Sequence, residues 1–345
     1  MSNGSIQVSG INSVSEKASI AKSASIRCTN LIIEEGVSVG ENVILEGDNI
    51  TLGAHSKIEA NTKILSRTIK LGYKATVQGE SSFKALTGMA ETFITGDFSF
   101  IGFKQNAVVS HFKIGDYTTI HNSCFITGYE PCILGHNCWV GQNTILNSSK
   151  ALTIGNNVGI GTNSQLWTHV IHGELIEGCT MFGEHPLTIE DDVWIVGGAV
   201  ISPNLTLGKR SVIMVGSVVT ANTEPGHCYA GVPARDITSK LNPYQPITLV
   251  EKKEMMLKFV EEFDAKTNHV HENNIHFFDR KEEFHSPNFS DAIIILTQGE
   301  VTPNGSKNSV FSLETKKYFK TRSLLEEEFM RFNERYRAKF IPINP

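Results

Sequence analysis

Aliphatic residues recur every six positions along the first two thirds of the chain, separated by polar residues, Gly, Asn and Asp. The clearest series is Ile189, Ile195, Ile201, Leu207, Ile213 and Val219. An apolar or small residue also follows four positions after each of the first five, at Val193, Ala199, Leu205, Ser211 and Ser217. A period of six fits neither the α-helix, with its period of 3.6, nor the simple alternation of a β-strand. The pattern therefore predicts an internal structural repeat.

The same period divides the upstream sequence into triplets. They are Val14, Ile20, Ile26; Ile33, Val39, Leu45; Leu52, Ile58, Ile64; Leu71, Val77, Phe83; Ile114, Ile120, Ile126; Leu134, Val140, Leu146; and Ile154, Ile160, Leu166, with a looser triplet of Thr95, Ile101 and Ala107. We interpret each triplet as one coil of three short strands that stacks its aliphatic side chains on the next coil. Starts at 14, 33, 52, 71, about 95, 114, 134, 154, 189 and 207 predict about ten coils. At the spacing of strands in a sheet, the rod would be roughly 48 Å long.

The period is interrupted twice. Most coil steps are 18 to 20 residues, but the step from 154 to 189 is 35, so that about 17 residues leave the coil within 167–186. A smaller interruption contains residues 84–93. Loops that leave a rigid scaffold are where binding and catalytic residues concentrate, and we therefore expect the functional site there.

An ordered series of motifs surrounds the larger interruption. It consists of QLWTH at 165–169, PLTI at 186–189, DVWI at 192–195, PNLTLG at 203–208, GSVVT at 216–220 and GVPAR at 231–235. Together with the six-residue period, this series resembles the hexapeptide-repeat acyltransferases, in particular the galactoside and maltose O-acetyltransferases and related sugar acyltransferases. The sequence departs from the family at Glu190, Val196 and Asn204, where Gly is typical, and at Val170, where Pro is typical.

The resemblance implies an all-β, left-handed parallel β-helix over residues 14–238, preceded by an N-terminal extension at 1–13. It also implies a homotrimer that transfers an acyl group from acetyl-CoA, or a longer acyl-CoA, to a hydroxyl or amino group of a sugar. A cytoplasmic location is expected from the lack of a signal-peptide pattern and of a spanning apolar run. No metal is expected to take part. Coenzyme A would lie along a groove between two subunits, against the C-terminal coils.

The predicted general base is His169, at the position of the family's loop histidine. An imidazole with a pKa near 6.5 can accept a proton from a hydroxyl or an ammonium group at neutral pH. Candidate substrate-binding residues are His172, Glu174 and His185 in the same loop, and Glu91 and Asp97 beside the smaller interruption. Asp97 equally fits an ordinary Gly-Asp turn between strands. Glu174 and Glu177 are also candidates for orienting the imidazole.

Candidate residues for binding coenzyme A lie in the last coils. Ser217, Thr220 and Arg235 match the strand and the exit loop that line the family's groove. Lys209 and Arg210, on a turn, could contact phosphates, although an ordinary charged turn explains them equally well.

The six-residue period stops after Arg235, and residues 239–345 predict a small α/β domain. We expect a helix at 248–265, strand-like runs at 269–278, 291–298 and 309–319, and a final helix at about 323–339. Minimal sugar acetyltransferases lack such an appendage. The larger size resembles the N-acyltransferases that act on nucleotide-linked amino-deoxy sugars, which favours a nucleotide-linked acceptor for surface polysaccharide.

Composition excludes several other classes of protein. With 345 residues, 40% hydrophobic and 19% charged, the chain is not of the disordered type. Its net charge of −5 argues against nucleic acid or an anionic membrane as the main partner. No apolar run reaches the roughly 18 residues of a spanning helix, and the first ten residues do not resemble a signal peptide. Six Cys without a CxxC pair indicate neither a zinc ribbon nor a disulfide scaffold.

Two alternative functions fit the same fold. One is a metal-dependent hydratase like the γ-class carbonic anhydrases, for which His111, His121 and His136 lie in successive coils, although no HxxxxH spacing occurs. The other is a non-catalytic trimeric scaffold. The long loop that carries His169 argues against a scaffold, which has no need of it.

Overall fold

The computed structural model describes residues 5–268, 270, 274–280, 289, 291–301, 307–334 and 337–344. The chain divides into two compact units, Met1–Tyr244 and Gln245–Pro345. Each unit has its own sheets and its own core, and the first contains all the residues predicted to form the functional site.

The first unit is a parallel β-helix, as the six-residue period predicts. Its larger sheet contains Ser5–Val8, Asn12–Val14, Ser25–Ile33, Ile44–Leu52, Lys63–Leu71, Ser82–Lys84, Ala90–Thr95, Asn106–Val108, His111–Ile114, Phe125–Gly128, Pro131–Leu134, Ile145–Ser148, Leu152–Ile154, Gln165–Leu166, Leu187–Ile189, Val200–Ile201, Leu205–Leu207 and Val218–Val219. The smaller sheet contains Ser19–Ile20, Ser38–Val39, Lys57–Ile58, Thr76–Val77, Phe100–Ile101, Thr119–Ile120, Trp139–Val140, Gly159–Ile160, Trp194–Ile195, Val212–Ile213, Cys228–Ala230 and Arg235–Asp236. The last two of these strands pair antiparallel and close the series.

The predicted stacking of aliphatic residues from coil to coil is confirmed. The second members of the triplets are register partners, from Ile20 with Val39 through Ile120 with Val140 to Ile195 with Ile213. They form one continuous core in which Ile120, Val140 and Ile213 are fully buried. Because each coil presents the same face to its neighbours, the repeat itself buries the apolar surface that a single coil would leave exposed.

The corners between strands explain the Gly, Asn and Asp of the sequence pattern. Asn137, Asn157 and Asp192 have positive φ angles, a conformation that Asn and Asp tolerate better than most residues. Their side chains form a ladder, in which the Asn137 amide donates to Asn157 (3.1 Å) and the Asn157 amide donates to Asp192 (2.9 Å). At Gly161 a Cβ would overlap the carbonyl oxygen of Val196 in the next coil, so that this close approach requires glycine.

The larger interruption is a β-hairpin that leaves the coil and returns to it. Its strands, His169–Ile171 and Phe182–Glu184, pair antiparallel, and a 3-10 turn at Leu175–Glu177 lies between them. The coils on either side stay in register, with Leu166 opposite Ile201. The hairpin is therefore an insertion into an otherwise continuous stack.

The smaller interruption is shorter than the sequence indicates. Strand Ala90–Thr95 includes the end of the predicted loop, residues 90–93, so that Glu91 lies in a strand and its backbone N–H donates to the carbonyl of Ser110 in the next coil. Extended backbone at 90–94 continues the coil because its residues pair with strand Lys63–Leu71 below.

The second unit contains two helices and a five-stranded sheet over its described residues. The helices are Leu249–Lys266 and Leu324–Asn333; the strands, in their order across the sheet, are Ile275–Phe278, Ile293–Leu296, Ser309–Ser312, Lys317–Phe319 and Ile341–Pro342. Neighbours pair parallel except Ser309–Ser312 with Lys317–Phe319. Rings of Phe263, Phe311 and Phe329 pack in its interior.

Two element predictions for this unit need correction. The single strand predicted at 309–319 is wrong, because residues 313–316 form a turn that reverses the chain into an antiparallel pair. The final helix ends at Asn333 instead of about 339, and residues 335–336 of the prediction lie outside the described residues, as do 269 and 271–273 of the first predicted strand. Among the described residues, no helix is long and apolar enough to span a membrane.

Candidate active site

His169 lies where the buried coil changes into the exposed hairpin. The preceding residue, Thr168, is fully buried, whereas His169 is partly exposed and starts the first hairpin strand. The backbone N–H of His185 donates to the carbonyl of Thr168 (2.8 Å), which closes the base of the hairpin. The imidazole is thus held at a fixed point of the coil and still reaches solvent.

The side chain of Asn147, in the coil below, orients the imidazole. Its Oδ1 accepts from the backbone N–H of Thr168 (3.1 Å) and from the Thr168 hydroxyl (2.6 Å), and its Nδ2 donates to the carbonyl of Thr127 (3.2 Å). These bonds fix which end of the amide is the oxygen. Nδ1 of His169 lies 3.0 Å from that oxygen, so that Nδ1 must carry the proton and donate it. The Nε2 atom is left with its lone pair, as a general base requires.

Ser149 and Trp167 complete the surroundings of the ring. The Oγ atom of Ser149 lies 3.2 Å from Nδ1 of His169, and the Trp167 ring stands nearly perpendicular to the imidazole, with centroids 5.6 Å apart. Trp167 is itself fixed by a hydrogen bond from Nε1 to Gln165 (3.2 Å). The imidazole is therefore restrained by hydrogen bonds at Nδ1 and by its contact with the Trp167 ring.

The return strand of the hairpin carries a second polar contact to the coils. Glu184 is directly opposite His169 across the hairpin, and its Oε1 accepts a hydrogen bond from the Tyr129 hydroxyl (2.6 Å). Lys150 Nζ is 3.7 Å from the other carboxylate oxygen. The hydrogen bond to Glu184 raises the pKa of Tyr129 above its ordinary value.

The other loop residues predicted to bind substrate are exposed. His172, Glu174 and Glu177 lie toward the tip of the hairpin, and His185 follows its return strand. Glu174 precedes the 3-10 turn without capping it through its side chain. The sequence suggested Glu174 or Glu177 as the residue that orients His169. In the structure Asn147, which the sequence analysis did not name, contacts the imidazole instead.

Glu91 and Asp97 have different surroundings. Glu91 is half exposed and pairs with Arg67 (3.3 Å). Asp97 is only 4% exposed, and its carboxylate accepts from the backbone N–H of Tyr73 (2.9 Å). The structure therefore gives Asp97 the corner role that was the alternative for this residue.

The residues predicted to line a coenzyme A groove also differ in accessibility. Ser217 is fully buried and accepts from the backbone N–H of Gly231 (3.2 Å), a contact that ties the exit loop to the last coil. Thr220 and Arg235 are exposed, and in the part of the chain that the structure describes Arg235 forms no ion pair. Of these three, Thr220 and Arg235 are the ones that a ligand could reach.

Lys209 and Arg210 are exposed on a corner close to Asp192. Their nitrogens lie 4.0 and 3.9 Å from its carboxylate, and the Arg210 guanidinium lies 5.9 Å from the centre of the Tyr244 ring. Exposed pairs at such distances are weak, so that both side chains stay available to an anion.

The three His considered for a metal site have separate environments. His111 contacts the Thr92 hydroxyl (3.3 Å), His136 accepts from the backbone N–H of Asp116 (2.9 Å), and the His121 ring packs against Trp139. Over the described ranges, no group of three or more His, Cys, Asp or Glu is placed to hold a metal ion.

Comparison with known proteins confirms the resemblance to galactoside O-acetyltransferases. The chain is 39% identical over 106 residues to the galactoside O-acetyltransferase of Escherichia coli, a match of 30% of this chain and 52% of that enzyme. It is 26% identical over 135 residues to the galactoside O-acetyltransferase of Lactococcus lactis, covering 36% of this chain and 64% of the relative. The matches thus span about half to two thirds of the relatives' length, and no family model matches the chain.

Among solved structures, the chain is similar to an Arabidopsis UDP-N-acetylglucosamine acyltransferase. The likeness covers 74% of this chain and 91% of that one, at 15% identity and a TM-score of 0.44. At this TM-score the likeness supports no inference about function.

Proposed function

We propose that the protein is an acyl-CoA-dependent acyltransferase that acts on a sugar. The observation that carries this proposal is the Asn147–His169 hydrogen bond, which leaves Nε2 of a partly exposed imidazole as a proton acceptor beside a hairpin inserted into the coil. The sequence similarity to galactoside O-acetyltransferases supports the reaction class.

In this mechanism the Nε2 atom of His169 accepts the proton of the acceptor group as that group becomes a nucleophile. Asn147 keeps the proton on Nδ1 and would stabilise the imidazolium ion that forms, because its carbonyl oxygen accepts a hydrogen bond from Nδ1–H in both states of the ring. Thr168 holds Asn147 in turn through two hydrogen bonds.

Acyl-CoA, when bound, would supply the acyl group as a thioester. As the acceptor oxygen or nitrogen bonds to the acyl carbon, the C–S bond would break, and the departing thiolate of coenzyme A would take the proton from Nε2 of His169, which returns the imidazole to its neutral state. Thr220 and Arg235 are accessible to it, and Lys209 and Arg210 offer cationic groups for its phosphates. Ser217 would act only indirectly, by holding Gly231 of the exit loop.

The finer proposal is a nucleotide-linked amino-deoxy sugar as acceptor and a homotrimer as the active assembly. The additional unit Gln245–Pro345 supports the first point, because minimal sugar acetyltransferases have no such unit. His169 could accept a proton from either an amine or a hydroxyl acceptor, but the rate of acyl transfer to an amine depends less on a general base. The size of the His169 effect therefore distinguishes N- from O-acylation.

The decisive test compares His169→Ala with wild type in steady-state acyl transfer from acetyl-CoA to a panel of free and nucleotide-linked sugars. We expect kcat/KM to fall by about 10²–10⁴-fold, the usual contribution of a general base. His111→Ala, on the wall of a coil, is the matched control and should keep wild-type activity. A loss below tenfold with a hydroxyl acceptor removes His169 from the role of base.

Two further measurements test the alternative functions, the scaffold and the metal hydratase. Calorimetric titration with coenzyme A should give saturable binding, and its absence would favour the scaffold. Elemental analysis of the purified protein tests the metal hydratase, for which one zinc per chain is required.

A further inference from the structure

The hairpin at 169–184 is attached to the coils by the side chains at its two ends. In the described part of the chain, its side-chain hydrogen bonds to the coils come from His169, the first residue, and Glu184, the last. Residues between them are exposed or only partly buried. A two-stranded hairpin without a packed face is marginally stable in water, so that its position depends on these end contacts.

The contact of Glu184 joins distant parts of the sequence. Its partner, Tyr129, is 55 residues away and belongs to a lower coil, immediately after strand Phe125–Gly128. A phenol donating to a carboxylate at 2.6 Å is a short, charge-assisted hydrogen bond, about twice as strong as a neutral one. The nearby Lys150–Glu184 pair is longer, at 3.7 Å, and its Lys is 41% exposed, so that it should add little.

The Tyr129–Glu184 contact is linked to His169 through the pairing of the two hairpin strands. Glu184 and His169 are register partners in the hairpin, and a cross-strand partner that shifts carries its neighbour with it. Ser149 supports the same end of the hairpin, because its Oγ lies 3.2 Å from Nδ1 of His169. Tyr129, Ser149, Glu184 and His169 therefore form one connected group around the base of the hairpin.

We propose that Tyr129 and Glu184 are positioning residues: their hydrogen bond clamps the return strand and so holds the His169 imidazole in its catalytic orientation. This inference rests on the proposed function for its kinetic consequences. Its structural part, the clamping of the hairpin, is measurable without any substrate.

The variants are Tyr129→Phe, which removes only the donor, Glu184→Ala, which removes the acceptor, and Glu184→Gln, which keeps a neutral acceptor. Glu130→Gln is the matched control, because Glu130 also lies near Lys150 (4.0 Å) but belongs to the coil. Each protein is compared with wild type by peptide-resolved amide hydrogen exchange over 169–184. We expect exchange at least about fivefold faster in Tyr129→Phe and Glu184→Ala, a smaller increase in Glu184→Gln, and no change in the control.

The kinetic arm measures kcat and KM for acyl transfer in the same proteins. We expect kcat to fall about ten- to a hundredfold in Tyr129→Phe and Glu184→Ala, as for a displaced catalytic group, with KM for acetyl-CoA within about twofold of wild type. Glu184→Gln should restore much of the rate. The double variant should be no slower than the slower single variant, because both changes break one bond.

A readout in the His169→Ala background separates positioning from substrate contact. There, Tyr129→Phe should change the residual rate by less than about twofold, since the group that it positions is gone. An equal loss in both backgrounds would show that Tyr129 acts on the substrate and would overturn the proposal. Unchanged hydrogen exchange in Tyr129→Phe would overturn it as well. Faster exchange in a protein that shows no acyl transfer would refute the proposed function and leave the clamp established.

Discussion

The coils and the hairpin inserted into them are stabilised in different ways. In the coils, each stacked aliphatic residue is buried by the coil below and the coil above, as Ile120 and Ile160 are. In the described hairpin at 169–184 no side chain is buried, and Ile176 at its turn is 90% exposed. The coils obtain their structure from repetition, whereas the hairpin obtains its position from a few polar contacts at its base.

The difference shows how this chain combines a rigid base with an accessible site. His169 stands at the junction, so that its backbone is fixed by the coil through Thr168 while its ring reaches solvent. A polar side chain such as that of Asn147 is costly to bury unless it is hydrogen-bonded. Here it is 2% exposed but makes hydrogen bonds with both its oxygen and its nitrogen, which removes that cost.

The largest effect on stability is expected when the same substitution, Ile to Ala, is made in the coils and in the hairpin. Ile120→Ala should lower the free energy of unfolding by about 2–5 kcal/mol, because it leaves a cavity in the stacked core. Ile176→Ala, the same change at the hairpin turn, should alter it by less than about 0.5 kcal/mol. Urea denaturation followed by circular dichroism measures both. Equal losses would contradict the exposed position of Ile176 and show that its side chain is packed in solution.

A smaller effect is expected where the two regions meet, at Asn147→Ala. Loss of the amide should lower stability by about 1–3 kcal/mol, because buried donors such as the Thr168 N–H lose their partner. It should also lower kcat about ten- to a hundredfold, because Nδ1 of His169 is no longer fixed as the protonated nitrogen. Thermal unfolding and steady-state kinetics check the two consequences separately. A stability loss with unchanged kcat would show that Asn147 supports the coil alone.

The smallest effect concerns the exposed end of the coil, where Asp236 accepts from Thr238 and contacts His227. The Thr238 hydrogen bonds, followed by that of His227, lower the pKa of Asp236 from 3.8 to about 2. A carboxyl whose pKa is lower in the folded state contributes stability that is present above its ordinary pKa and lost as the pH falls through about 2. The stability of Asp236→Asn should therefore decline less between pH 4 and pH 2 than that of wild type. Parallel curves from acid titration of the two proteins would contradict this assignment.

Much of the fold could be predicted because the repeat is local and frequent. Most triplets from Val14 to Leu166 repeat an aliphatic residue followed by corner residues. A departure in one triplet, such as Thr95, therefore does not hide the pattern that its neighbours share. The second unit has no such redundancy. Its strand prediction at 309–319 failed because the turn at 313–316, LETK, contains no Gly, Pro, Asn or Asp to mark it. The antiparallel pairing of Val310 with Phe319 reveals the reversal.

The site was predicted less completely than the fold. His169 was accessible to sequence reasoning because it follows a motif and lies in the longest interruption of the period. Asn147 was not, because it is a single polar residue 22 positions earlier, in a coil full of Asn and Ser. One signal could have pointed to it: an Asn directly after the third aliphatic residue of its coil, Leu146, one coil before the insertion.

The sequence alone determined that the chain winds into stacked coils, where the stack is interrupted, and which histidine stands at the interruption. It could do so because burial of aliphatic residues at a fixed period depends only on neighbouring hexads. The tertiary structure decided that the insertion is a hairpin, that Asn147 lies under His169, and that Tyr129 reaches Glu184. Those contacts depend on the lengths of the corners and on the path of the inserted strands. A change of one or two residues in either would move a side chain to a different face of the coil, and the six-residue period would not reveal it.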